Sequence, residues 1–68
     1  MHNETFNMSI RKFLKMVGVS SQQEIEQAVA QAITGGHLKG NEKLPVKMTL
    51  AISTANLNIN FDGVIELE

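Results

Sequence analysis

The side chains that could carry chemistry in this chain are few and scattered. His2 and His37 are the only histidines, and there is no cysteine. Neither histidine has a second ligand one helical turn away, and the carboxylates do not cluster to complete a metal-binding set. Ser9, Ser20, Ser21 and Ser53 offer hydroxyls, but no histidine stands at a recognisable motif position beside them. Glu24 and Glu26 lie two positions apart on a helical stretch. They project about 200° apart and do not converge as an acid–base pair. A chain this small can hardly enclose a substrate pocket and keep a core. The reading is non-enzymatic, with no cofactor and no metal.

Three other features invite a binding role. The run Gly35-Gly36-His37-Leu38-Lys39-Gly40 has glycines suited to an anion-binding nest of backbone N–H groups. It lacks the Gly-Lys-Ser/Thr ending of a phosphate loop and follows a helix instead of opening one, so a helix stop plus a turn is the simpler reading. His37 there reads as a surface residue near a helix end. The basic residues Arg11, Lys12 and Lys15 could join Lys39, Lys43 and Lys47 in a patch for an acidic partner or an RNA backbone. The competing reading is a solvated helix face plus a charged loop. The acidic clusters Glu24/Glu26 and Asp62/Glu66/Glu68 suggest a mild dipole that would also suit self-association. Met8 and Met16 fall beside an apolar helix stripe, and Met48 lies on the inner face of a strand. Methionine fills gaps in small cores; exposed, Met8 and Met16 would widen the apolar face into a contact surface. The candidate interaction surface is therefore Met8, Arg11, Lys12, Lys15, Met16, Lys39, Lys43 and Lys47.

The elements that must position these residues follow from periodicity. Phe6, Ile10, Phe13, Leu14 and Val17 recur at helical spacing and predict a helix over 5–17. Asn3 or Thr5 would cap it, Glu4 suits its positive end, and Gly18 stands where a left-handed terminator belongs. Ser21 with Glu24, or Ser20 with Gln23, makes a capping box for a second helix over 21–34. Its stripe is Ile25, Ala28, Val29, Ala32 and Ile33, where the alanines permit close approach. Gly35-Gly36 ends it. Leu38 and Leu44 tack the polar link to the core, and Pro45 sets the entry to the next element.

From Val46 the period becomes two. Strands over 46–53 and 57–67 follow, each apolar on one face and polar on the other. Ile52 opposite Leu57 leaves the four-residue loop Ser53-Thr54-Ala55-Asn56, and then Leu50 faces Ile59 and Met48 faces Phe61. Asp62-Gly63 resembles a second hairpin turn, but a turn there would set Glu66 on the apolar face. Two readings stay open: Gly63 as a bulge or close-approach point within one long strand, or a three-stranded meander. The fold class is α+β, a single domain of order ααββ, with two N-terminal helices packed on one face of a C-terminal antiparallel hairpin.

Bulk properties narrow the function classes. The hydrophobic share of 43% argues against disorder. A net charge of −1 gives no general attraction to nucleic acid or to an anionic membrane. Only Phe6, Phe13 and Phe61 are aromatic, so the stacking surface of a single-strand binder is missing. The absence of cysteine, of a targeting segment and of any long apolar run reads as a cytoplasmic protein.

The blocks Phe6-Asn7-Met8-Ser9-Ile10-Arg11-Lys12-Phe13-Leu14-Lys15, Val17-Gly18-Val19-Ser20-Ser21-Gln22, Leu38-Lys39-Gly40-Asn41-Glu42, Leu44-Pro45 and Ile65-Glu66-Leu67-Glu68 carry a resemblance over nearly the whole chain. The chain resembles a family of proteobacterial proteins of about its own length that form a domain of unknown function. The resemblance implies a stand-alone bacterial protein and supplies no activity, ligand or catalytic residue.

Two function classes remain. One is a non-enzymatic protein-interaction module, binding an unidentified protein or itself as a homodimer. Small size, no covalent staples, open strand edges and a wide apolar helix stripe motivate it. The other is a small helix-turn-helix-like nucleic-acid-binding regulator. Phe13-Leu14-Lys15-Met16-Val17-Gly18-Val19-Ser20 matches the first helix and glycine turn of such modules. Against it, no lysine or arginine lies between Val19 and Leu38, and Glu24 and Glu26 would repel phosphate.

Overall fold

The computed structural model describes every residue, Met1–Glu68. The order of elements is one helix, α1 (Asn3–Thr34), then strand β1 (Lys43–Ile52), a 3-10 turn (Ser53–Ala55) and strand β2 (Leu57–Glu66). The class is α+β, but the two helices expected over 5–17 and 21–34 are a single helix of 32 residues. Gly18, expected to end the first, is helical and sits in mid-helix. Ser20 and Ser21, expected to cap the second, are helical too.

The physical reason lies in the phase of the apolar stripe. Phe6, Ile10, Leu14, Val17, Ser21, Ile25, Ala28 and Ala32 are spaced four, four and three residues apart, repeatedly. This eleven-residue period passes through Gly18 without a break and keeps one continuous face. A lone glycine in a helix costs about 1 kcal/mol relative to alanine. Interrupting the helix would orphan four carbonyls on one side and four N–H groups on the other.

The caps differ from expectation at one end only. His2 is the N-cap, with its Nδ1 accepting from the Thr5 N–H at 3.3 Å, so neither Asn3 nor Thr5 serves. At the other end Gly35-Gly36 stops the helix as read. The His37 N–H donates to the Ala32 carbonyl at 2.8 Å and the Gly36 N–H to the Ile33 carbonyl at 3.1 Å. Gly36 takes φ +81°, the left-handed cap of a Schellman motif.

The chain divides into two compact units, Met1–His37 and Leu38–Glu68. In the second, β1 and β2 pair antiparallel with Ile52 opposite Leu57, Leu50 opposite Ile59 and Met48 opposite Phe61, the expected register. Asn56 closes the four-residue loop at φ 52°, a left-handed position that asparagine tolerates. The same register continues to Lys43 opposite Glu66. Gly63 therefore neither bulges nor turns, and no third strand forms. It lies opposite Val46, whose Cγ1 comes within 3.5 Å of where a Gly63 Cβ would stand.

The first strand also begins earlier than Val46 and includes Pro45. The Leu67 N–H donates to the Glu42 carbonyl at 3.1 Å, which sets the alternation of the ladder. By that alternation Leu44, Val46, Met48, Leu50 and Ile52 direct their N–H groups toward β2, and Pro45 falls in a non-hydrogen-bonded pair with Val64. Its missing N–H would have pointed away from β2, so the ladder loses nothing.

Neither unit has a core in the usual sense: no residue of the chain is buried. Val17, Ser21, Ile25, Val29 and Ala32 on α1 are half-buried, as are Leu44, Val46, Leu50, Leu57 and Ile65 on the hairpin.

Candidate interaction surfaces

The helix presents two contrasting faces. At about 100° per residue, Phe6, Ile10, Phe13, Leu14 and Val17 fall within one side of the first half of α1. Met8, Arg11, Lys12 and Lys15 fall on the other, with Met16 at its margin. Met8 and Met16 are 70% and 57% exposed, so they fill no core. Five of the eight candidate surface residues thus share one helix flank, where methionine adds apolar area among three cations.

The other three, Lys39, Lys43 and Lys47, belong to the hairpin unit and are exposed. Lys43 stands directly across from Glu66, and Lys47 across from Asp62. Opposite charges in such cross-strand positions complement each other. Next along the same face the Thr49 hydroxyl donates to Asn60 Oδ1 at 2.7 Å. The polar face of the hairpin thus sets lysines and carboxylates across from each other rather than gathering positive charge alone. Its reverse face gathers Met48, Leu50, Ile52, Leu57, Ile59 and Phe61 in three cross-strand pairs, with Val46 beside them opposite Gly63. Phe61 is 54% exposed there.

The glycine-rich link, read as a helix stop plus a turn, also builds a cluster of backbone donors at its far end. The N–H groups of Lys39, Gly40 and Asn41 converge on the carboxylate of Glu42 at 2.8, 2.9 and 3.2 Å. Gly40 permits this with φ +108°. The backbone N–H bonds, that of Lys39 foremost, hold the Glu42 carboxyl below its usual range. The nest is filled by the chain's own anion. Glu42 was not among the candidate residues; its signal is a carboxylate placed directly after Gly40-Asn41, where it can fold back on the turn.

No group of three or more histidine, aspartate or glutamate side chains could hold a metal ion. No helix is long and apolar enough to cross a membrane. Phe13–Ser20 is helical throughout, so the turn of a helix-turn-helix is not formed.

A family model matches residues 1–68, the whole chain. The chain belongs to the family of unknown function DUF6494. No curated protein and no solved structure matches it. Membership in DUF6494 agrees with the resemblance carried by the Phe6–Lys15 and Val17–Gln22 blocks, and it assigns no role to any residue.

Proposed function

We propose that the chain is a small non-enzymatic protein-interaction module of the cytoplasm that completes its fold by pairing with a second copy of itself. One observation carries the reading. No residue is buried in either unit, although 43% of the chain is hydrophobic. A lone hairpin is marginal in water, and a helix draws most of its stability from packing an apolar face. Neither unit by itself offers the burial that offsets chain entropy.

With no cysteine and no metal-binding group, association is the remaining staple open to so short a chain.

Light scattering coupled to size-exclusion chromatography over a range of concentrations tests this. The expected mass is that of two chains, with a melting temperature that rises with protein concentration. A one-chain mass at high concentration, with cooperative unfolding, refutes it.

A further inference from the structure

We infer that the surface joining the two copies is the outer edge of β2, paired antiparallel with itself about Phe61 to make one four-stranded sheet. This deepens the self-association reading and rests on it.

The argument begins with where backbone donors point. The alternation set by the Leu67–Glu42 bond turns the N–H and C=O groups of Asn58, Asn60, Asp62, Val64 and Glu66 away from β1. No proline interrupts this row. The corresponding outer row of β1 is Lys43, Pro45, Lys47, Thr49 and Ala51, in which Pro45 removes a donor and two lysines flank the gap. Lysine and proline are the devices that blunt a strand edge against pairing, and here they protect β1 alone. The sheet has only two strands, so the outer row of β2 is open to a strand from another molecule.

Self-complementarity selects a second copy. In an antiparallel pair about a two-fold axis, residues whose numbers sum to one even value face each other. That parity keeps the odd-numbered apolar residues of β2 on one face in both copies. Centring the axis on Phe61 sets Leu57 opposite Ile65 and Ile59 opposite Gly63. On the polar face it opposes Asn60 to Asp62 and Asn58 to Val64. Outward-pointing even residues become the hydrogen-bonded pairs, and Phe61 meets Phe61 in a non-hydrogen-bonded pair, where side chains approach most closely. Centring on Asp62 would set two carboxylates against each other. Centring on Asn60 would leave Val64 and Ile65 without partners. Phe61, 54% exposed, gains its cover from its own counterpart.

Two proline variants form a matched test, because Thr49 and Asn60 are opposite each other and share one side-chain hydrogen bond. Thr49→Pro and Asn60→Pro both remove that bond, and each removes an outward N–H, from β1 and β2 respectively. Pro45 occupies an equivalent position within the hairpin. By light scattering the Thr49→Pro protein is expected to keep the two-chain mass and the Asn60→Pro protein to fall to one chain. If Asn60→Pro stays dimeric, the β2 interface is overturned while self-association stands. A monomeric parent protein overturns both readings. If both prolines abolish the dimer or the hairpin, nitroxide labels on Asp62→Cys and Lys47→Cys decide. Neighbouring strands lie about 4.8 Å apart, so the Asp62 labels should show strong spin–spin broadening and the Lys47 labels, about three strand spacings apart, much less. Equal or reversed broadening refutes the β2 pairing.

Discussion

Replacing Gly18 by alanine separates one long helix from two short ones by the sign of a single stability change. In α1 Gly18 is mid-helix, and beyond its chain neighbours and the local helix backbone no atom lies within 4 Å of the position an added Cβ would take. The methyl group meets no obstacle, and alanine loses less backbone freedom on folding. The expected effect is a stabilisation of about 0.5–1 kcal/mol. For a domain of this size that is a rise in melting temperature of about 4 °C or somewhat more. Were Gly18 instead a left-handed terminator between two helices, alanine there would cost about 1–2 kcal/mol. Thermal and urea unfolding followed by far-UV circular dichroism reads the difference. Both proteins must be compared at one concentration, because association shifts the midpoint. A variant that loses stability and helix content together would refute the continuous helix.

Three further outcomes follow from local geometry. Gly36→Ala should destabilise by about 1 kcal/mol, because φ +81° at the Schellman position strains an L side chain; denaturant titration checks it. Gly63→Ala should be neutral or mildly stabilising, since the new Cβ meets Val46 Cγ1 at an ordinary 3.5 Å within a regular strand; a marked loss in the same titration would restore the turn reading. Glu42 is held ionised by backbone N–H groups, so its folded-state pKa lies below its unfolded value. Its contribution is present above the unfolded carboxylate pKa and disappears as pH falls through the lowered folded value. Glu42→Gln should therefore flatten that part of the acid limb of a stability–pH profile, and an unchanged limb would contradict the assignment.

Much of the hairpin is written locally. The alternation of Val46, Met48, Leu50 and Ile52 with polar neighbours, together with Ser53-Thr54-Ala55-Asn56, leaves one register that keeps apolar residues on one face. Gly35-Gly36 likewise marks its helix end because a left-handed cap needs a residue without a Cβ. Gly18 carries the opposite lesson. Beside Ser20-Ser21 it has the composition of a helix boundary, and composition alone misreads it. The eleven-residue phase that runs from Phe6 to Ala32 is the evidence for continuity, and it is visible only when both halves are compared in one frame. Among the candidate surface residues, the type of each was legible and the pairing was not. Only the register shows that Lys43 and Lys47 stand across from Glu66 and Asp62.

By itself, then, the amino-acid order determined the α+β class, the antiparallel register of the hairpin and the helix stop, because each depends on neighbours within a turn or a hairpin. Only the structure decided that the Lys39–Asn41 donors are taken by Glu42 and that no residue is buried. Burial depends on which surfaces meet, and hydrophobic patterning specifies that a face must be covered without naming what covers it.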